Sequence, residues 1–332
     1  MKKKVELPLV SPTYSTYHSA ILSAAISENL SIRNWYLNEV MQLDCCRDFL
    51  WGYTTPLLRV EGLYMTDNPY IEKIWYSTRF MKGNLNRIIR NMLDDGYYVY
   101  FSGVDDFYVK GKSWYKERHF SHDGAICGYN QEDKTFCIYA YDKNWVYRKF
   151  WTPQRCFNLG KKAIESKGIY GEICAVKAKN TKVDFNADIA LENIAKYLDS
   201  DMQKYPIDGK GHVYGIAVHD YIAKYVDKLY DGSIPYERMD RRIFRLIWEH
   251  KYIMLERIEC IEREFSIVGE ISTKYTNLVK EADTMRMLYA SHRLRRRDSV
   301  LPVIKNKLIA LAQNERILLD ELIKKTRGVE TS

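Results

Sequence analysis

Residues 119–142, HFSHDGAICGYNQEDKTFCIYAYD, constrain the fold more than any other stretch of the 332-residue chain. They open on two histidines and pass through the small and apolar run 125–127. They break at Gly128-Tyr129-Asn130 and the polar QEDK, return through 136–141, and close on Asp142. Small, β-branched and aromatic residues on either side of a turn-rich break form the pattern of a β-hairpin. Antiparallel pairing around that turn brings His122, at the start of one strand, close to Asp142 at the end of the other. An imidazole beside a carboxylate is the base-and-orienter half of a nucleophilic triad. The carboxylate fixes the tautomer, and the ring takes a proton from a Ser, Thr or Cys. The same two residues also suit polar hairpin ends, so the spacing alone leaves both readings open.

The flanking chain predicts the surroundings of this hairpin. Residues 1–13 read as an extended lead-in. YSTYHSAILSAAISEN then carries the small and apolar residues of a short, mostly buried helix with Ser15 or Thr16 at its N-cap. The positive end of such a helix favours an anionic nucleophile or an oxyanion, although both residues also serve as plain caps. Residues 34–43 form a second element before the vicinal Cys45-Cys46, and residues 51–80 are loop-rich and aromatic. Residues 79–95 are an amphipathic helix stopped by Gly96, and 97–101 a strand with Asp105-Asp106 beyond its end. After Asp142 come a third strand near 144–147, a short helix opened by Trp151-Thr152-Pro153, a strand over 171–178, and a helix capped by 185–188 that runs to Leu198. Residues 1–200 therefore read as an α+β domain built on an antiparallel sheet.

From Gly215 the period becomes helical, over 217–229, 241–267, 272–292 and 301–325. In the last of these, Leu301, Ile304, Leu308, Leu311, Leu318 and Leu322 fall on one stripe. Residues 201–332 read as an all-α bundle. The basic run at 293–297 suits a solvated helix end.

Composition narrows the function classes. The start has basic residues but no apolar core behind them, which argues against a signal peptide, and no window approaches the roughly 18 apolar residues of a membrane span. Seven cysteines, an odd number with no CxxC pair, point to a reducing cytoplasm rather than a disulfide framework or a zinc site. The net charge of +8 is interleaved with acids and comes with no nucleic-acid recognition motif. No P-loop or dinucleotide fingerprint is present. The 27 tyrosines suit clefts and interfaces. Apart from His122, the histidines lack ligand-like spacing, and no metal site is expected. His18, about one helical turn after Ser15, is placed to line a cleft.

A helix with a nucleophile at its start, then a histidine-led strand, a Gly-Tyr turn and a strand ending in Asp is the order of the papain-like enzymes. GYYVYFSGVDDFYV (96–109), HDGAICGYN (122–130) and the return strand to Asp142 more closely resemble the family of butirosin-biosynthesis protein H, whose N-terminal domain is papain-like. DRRIFRLIWEHKYIMLERIE (240–259) resembles the helical part of relatives beside peptide assembly lines. The resemblance implies an antiparallel sheet packed on an N-terminal helix, followed by the bundle. It puts His122 at the general base and Asp142 at the orienting acid, with Thr16, His18, Tyr129 and Asn144 toward substrate.

The family's nucleophile is a cysteine at the first helix start. Here that segment is Ser15-Thr16-Tyr17-His18, so the position falls on Ser15, with Thr16 second and Cys45 as an outlying candidate. A serine nucleophile, a serine standing in for a native cysteine, and a protein that binds without chemistry all fit. The implied activity is ATP-independent amide formation, with an acyl group moving from the phosphopantetheine arm of an acyl or peptidyl carrier protein, through the nucleophile, to an amine. No other cofactor, no nucleic acid and no membrane is implied. A homodimer is compatible, and a peptidase or thioesterase on the same scaffold, or a non-catalytic assembly-line partner, is the alternative.

Overall fold

The computed structural model describes residues 3–10, 19–49, 57–62, 68–81, 84–200 and 211–328. In chain order the elements are β1 (Lys4–Glu6), α1 (Ser19–Glu28), α2 (Ile32–Glu39), β2 (Leu43–Cys46), β3 (Leu58–Val60), β4 (Ile71–Ser77), α3 (Leu85–Asp94) and β5 (Tyr98–Asp105). There follow β6 (Ser121–Asn130), β7 (Thr135–Tyr141), β8 (Tyr147–Pro153), α4 (Gln154–Glu165), β9 (Glu172–Ala178) and α5 (Ala187–Asp199). The last are β10 (His212–Tyr214), α6 (Val218–Tyr230), α7 (Ile243–Glu264), α8 (Glu270–Arg295) and α9 (Leu301–Thr326). They divide into two compact units, Met1–Ile32 with Met65–Lys182, and Arg33–Tyr64 with Val183–Ser332. Residues 33–64 thus belong with the helices, a crossing that a single boundary at residue 200 does not contain.

The first unit holds a seven-stranded antiparallel sheet of order β4-β9-β5-β6-β7-β8, with β1 pairing the far end of β6. The expected hairpin is β6–β7, with Ala125 opposite Tyr139 and a register shift between Ile126 and Gly128. Alternation of side chains across the strands separates two apolar layers. Val99, Phe101, Ile126 and Ile138 pack with Ile89 and Leu93 of α3 and Phe157 of α4. Tyr98, Ala125, Cys127 and Tyr139 pack with Ala24 of α1. The lead-in is tied to both neighbours, Leu7 N donating to Cys127 O (2.7 Å) and Val10 N to Ser27 Oγ of α1 (2.7 Å). Gly160 of α4 is required where the helix presses on the end of β5, since a Cβ there would lie 2.7 Å from the Asp105 carbonyl oxygen.

Two elements differ from expectation. β4 comes from a stretch read as loop. Only Ile71 among its seven residues is buried, so it lacks an apolar alternation, and it is held by residue-by-residue pairing with β9. The helix expected from residue 79 begins at Leu85, because Thr78–Phe80 form a separate 3-10 turn capped by Ser77.

The second unit joins α2 and α5–α9 to the three-stranded sheet β10-β2-β3. Four of its helices fall within a few residues of the spans that periodicity predicts. Their centre is polar. Glu315 of α9, fully buried, pairs with Lys251 Nζ of α7 at 2.7 Å and accepts from Tyr197 OH of α5 at 2.9 Å and from Tyr275 OH of α8. His219 Nε2 of α6 lies 4.0 Å from the same carboxylate, and His250 Nδ1 lies 3.3 Å from Lys251 Nζ. Among the described residues of this unit, no helix is long and apolar enough to cross a membrane, and the same holds for the first.

Burial, with the neighbouring Lys251 charge, pushes His219 down to about 4 and His250 well below its ordinary value. Both rings fold neutral and charge near 6.5 once unfolded. The unfolded state therefore binds more protons, and stability falls as pH drops from 6.5 toward 4. For His219 this is on the order of 3 kcal/mol. Thermal melts should show Tm declining across that window, and His219→Leu should flatten part of the decline. An unchanged slope in the variant would contradict this account.

Candidate active site

The end of β5 supplies two adjacent carboxylates, each with a histidine. Asp105 Oδ1 accepts from Phe107 N and Phe120 N, both at 3.1 Å, and Oδ2 meets His119 Nδ1 at 2.8 Å. Asp106 is fully buried. Its Oδ2 meets His122 Nδ1 at 3.1 Å and accepts from Ser113 Oγ at 3.2 Å, while Oδ1 lies 3.1 Å from Lys112 Nζ. Lys112 is as buried as Asp106 and also donates to the Asp123 carbonyl at 2.6 Å. The connecting loop is tied to the end of β7 by Ser113 N donating to Tyr141 O (3.1 Å) and by a bridge between Lys112 and Asp142.

A buried ammonium beside Asp106 balances the carboxylate charge, and each would be costly alone. A carboxylate can only accept, so neutral His122 carries its proton on Nδ1 and leaves Nε2 as an acceptor. This is the arrangement of a general base. The ring is 22% exposed. It lies parallel to Tyr141 (centroids 6.4 Å, 7°) and meets the edge of Phe120 at 5.2 Å. Tyr141 contacts Tyr147 (4.8 Å), which contacts Tyr139 (4.6 Å) in the layer that holds Ala24 of α1. The aromatic row therefore runs from beside His122 toward the layer that α1 covers, while His122 itself pairs with Val104 and alternates in step with Ile126, both of the layer that packs on α3 and α4.

The orienting acid expected at Asp142 is corrected to Asp106. Asp142 Oδ1 instead accepts from Asn144 N (2.8 Å) and Val146 N (3.0 Å), and Oδ2 pairs with Arg148 (2.5 Å). Burial acts to raise this carboxyl, but the two N–H donors and Arg148 outweigh it and hold it below the usual range. Asp142 is the cap of the turn into β8, and its carboxylate is consumed there.

Asn144 is an exposed residue of that turn. Tyr129 is also corrected. It is buried in the core, donates to Asp94 of α3 at 2.8 Å, and lies seven residues along β6 from His122, roughly 23 Å. Cys45 is buried in β2, and burial together with Asp44 raises its thiol, the reverse of what a thiolate nucleophile needs. Ser15, Thr16 and His18 lie outside the described residues. The chain matches no protein-family model and no curated protein sequence.

Nitrogen NMR of the imidazoles checks the assignment. His122 should show the Nδ1–H tautomer at pH 8 in the wild type and in Asp142→Asn, and lose it in Asp106→Asn. Loss in Asp142→Asn alone would restore the acid to residue 142.

Proposed function

We propose that this chain is an acyltransferase on a papain-like scaffold, carrying an acyl group from a carrier-protein thioester to an amine. The observation that supports it most is the His122–Asp106 dyad, a neutral imidazole whose Nδ1 is held by a buried carboxylate and whose Nε2 is left to accept. Its strand also carries Ala125 and Cys127 of the layer that packs on α1, the helix that follows the segment containing Ser15 in the chain.

In this reading Nε2 takes the Ser15 hydroxyl proton as the oxygen attacks the thioester carbonyl. The carrier thiolate leaves with that proton, and the amine then displaces the serine oxygen. Backbone N–H groups at the start of the helix would hold the tetrahedral oxyanion. A thioester is already activated, so the scheme has no ATP step. The carrier's phosphopantetheine arm brings the donor, and the +8 charge suits encounter with an acidic carrier.

Intact-protein mass spectrometry tests the reading. On incubation with an acyl-carrier thioester, Ser15→Cys should gain one acyl mass, release it to an added amine, and gain none when His122→Ala is also present. Release to water as fast as to the amine would favour a hydrolase. A carrier complex without adduct on either form would favour a binding partner, and an adduct on Cys45 would move the nucleophile.

A further inference from the structure

One cation of the second unit lacks the counter-charge that its neighbours have. Arg293, half-buried in the last turn of α8, forms no ion pair and no side-chain hydrogen bond among the described residues. Elsewhere in that unit, each described lysine or arginine that is buried or half-buried has a carboxylate within 3.0 Å, apart from Arg257, which donates to the Tyr36, Leu37 and Val40 carbonyls. The charged neighbour of Arg293 is instead another cation, Arg241. Burial, with Arg241 adding to it, holds Arg293 below the ordinary guanidinium value. Arg241 is exposed and likewise has no ion pair among the described residues.

Packing holds the two segments together. Tyr289 OH of α8 donates to the Asp240 carbonyl at 2.8 Å, and its ring lies 4.7 Å from Phe244 in the first turn of α7. Tyr236 OH donates to the Arg293 carbonyl, and Arg296 stands over the Tyr236 ring at 4.6 Å. The nearby acid is already engaged. Asp240 Oδ1 accepts from Arg242 N at 3.0 Å and Arg242 Nε at 2.8 Å, and Oδ2 accepts from Leu57 N at 2.8 Å.

Helix dipoles account for only one of the two cations. The negative end of α8 favours Arg293, as it favours the exposed Arg295, Arg296 and Arg297, which form the solvated helix end expected from the sequence. Arg241 stands at the opposite kind of end. It precedes α7, whose positive end disfavours a cation and whose first turn carries no acidic residue.

We infer that Arg241 and Arg293 form a binding site for a phosphate dianion. The site does not rest on the acyl-transfer reading. Each guanidinium offers paired N–H donors that match the oxygens of a phosphate group. Two adjacent positive charges call for two negative ones. A phosphomonoester approaches that charge above its second pKa of about 6, whereas a carboxylate or a phosphodiester brings one. The bound anion would supply the counter-charge that Arg293 lacks.

The test is titration of methyl phosphate into arginine-labelled protein at pH 8 and constant ionic strength, with dimethyl phosphate as the singly charged control. The Arg293 Nε signal should move saturably with methyl phosphate, and dimethyl phosphate should bind about tenfold or more weakly. Arg241→Gln and Arg293→Gln should each weaken methyl phosphate about tenfold or more, the worth of one charge-assisted hydrogen bond. Arg316→Gln, which removes an exposed arginine of α9, should leave it unchanged. Backbone amide spectra of the variants check that the fold is kept. Inorganic phosphate, run in parallel, shows whether the free ion or its ester binds more tightly, and saturable binding of either supports the site. Failure of both to saturate, equal binding of dimethyl phosphate, or an equal loss in Arg316→Gln would each overturn the inference.

Discussion

The buried pairing of Lys112 with Asp106 is the interaction on which the first unit's candidate site depends. Both side chains are withdrawn from water, and each is a charge that would be strongly destabilising alone. Together they fix three things. Asp106 is kept pointing at His122 Nδ1, the loop between β5 and β6 is closed over the sheet end, and the Asp123 carbonyl is tied to Lys112. Ser113, the next residue, donates to the same carboxylate through its side chain and to Tyr141 through its backbone. A single ion pair thereby couples the histidine's tautomer to the position of the strand that carries it.

Both units place ionisable groups where apolar packing would be simpler, and they do so differently. In the second unit Glu315, Lys251, Tyr197 and Tyr275 form a closed set drawn from four helices, with His219 and His250 held neutral at its border. All six are buried, and the cluster fixes helix against helix. In the first unit the network runs from a buried carboxylate outward to the partly exposed His122. Of the two networks, the first unit's presents an acceptor nitrogen at the surface.

Much of the fold is legible in the sequence. The hairpin rests on a strand pattern with a turn between, and α6 to α9 on sustained 3.6-residue apolar stripes, because each is a local property. The partner of His122 was not readable. Antiparallel spacing points across the hairpin to Asp142, yet a short side chain at a strand end satisfies the nearest backbone donors first, and Asn144 N and Val146 N are two and four residues away. Asp106 reaches His122 across a sixteen-residue separation through a loop whose course depends on burying Lys112. The Asp105-Asp106 pair beyond the strand was the available signal. Tyr129 followed the same logic as Asp142, since a Gly-Tyr turn says nothing of which layer its ring enters. β4 is not legible in the sequence because an edge strand held by backbone pairing needs no apolar alternation.

The central proposal, that His122 and Asp106 act as one unit on a nucleophile in the segment before α1, is tested most directly by a double-mutant cycle on the rate of enzyme acylation. His122→Ala, Asp106→Asn and the double variant would be compared in the Ser15→Cys background. If Asp106 works only through the histidine, the double variant is no slower than His122→Ala alone. Rate losses that multiply would mean that the two residues act separately, and the dyad would be structural.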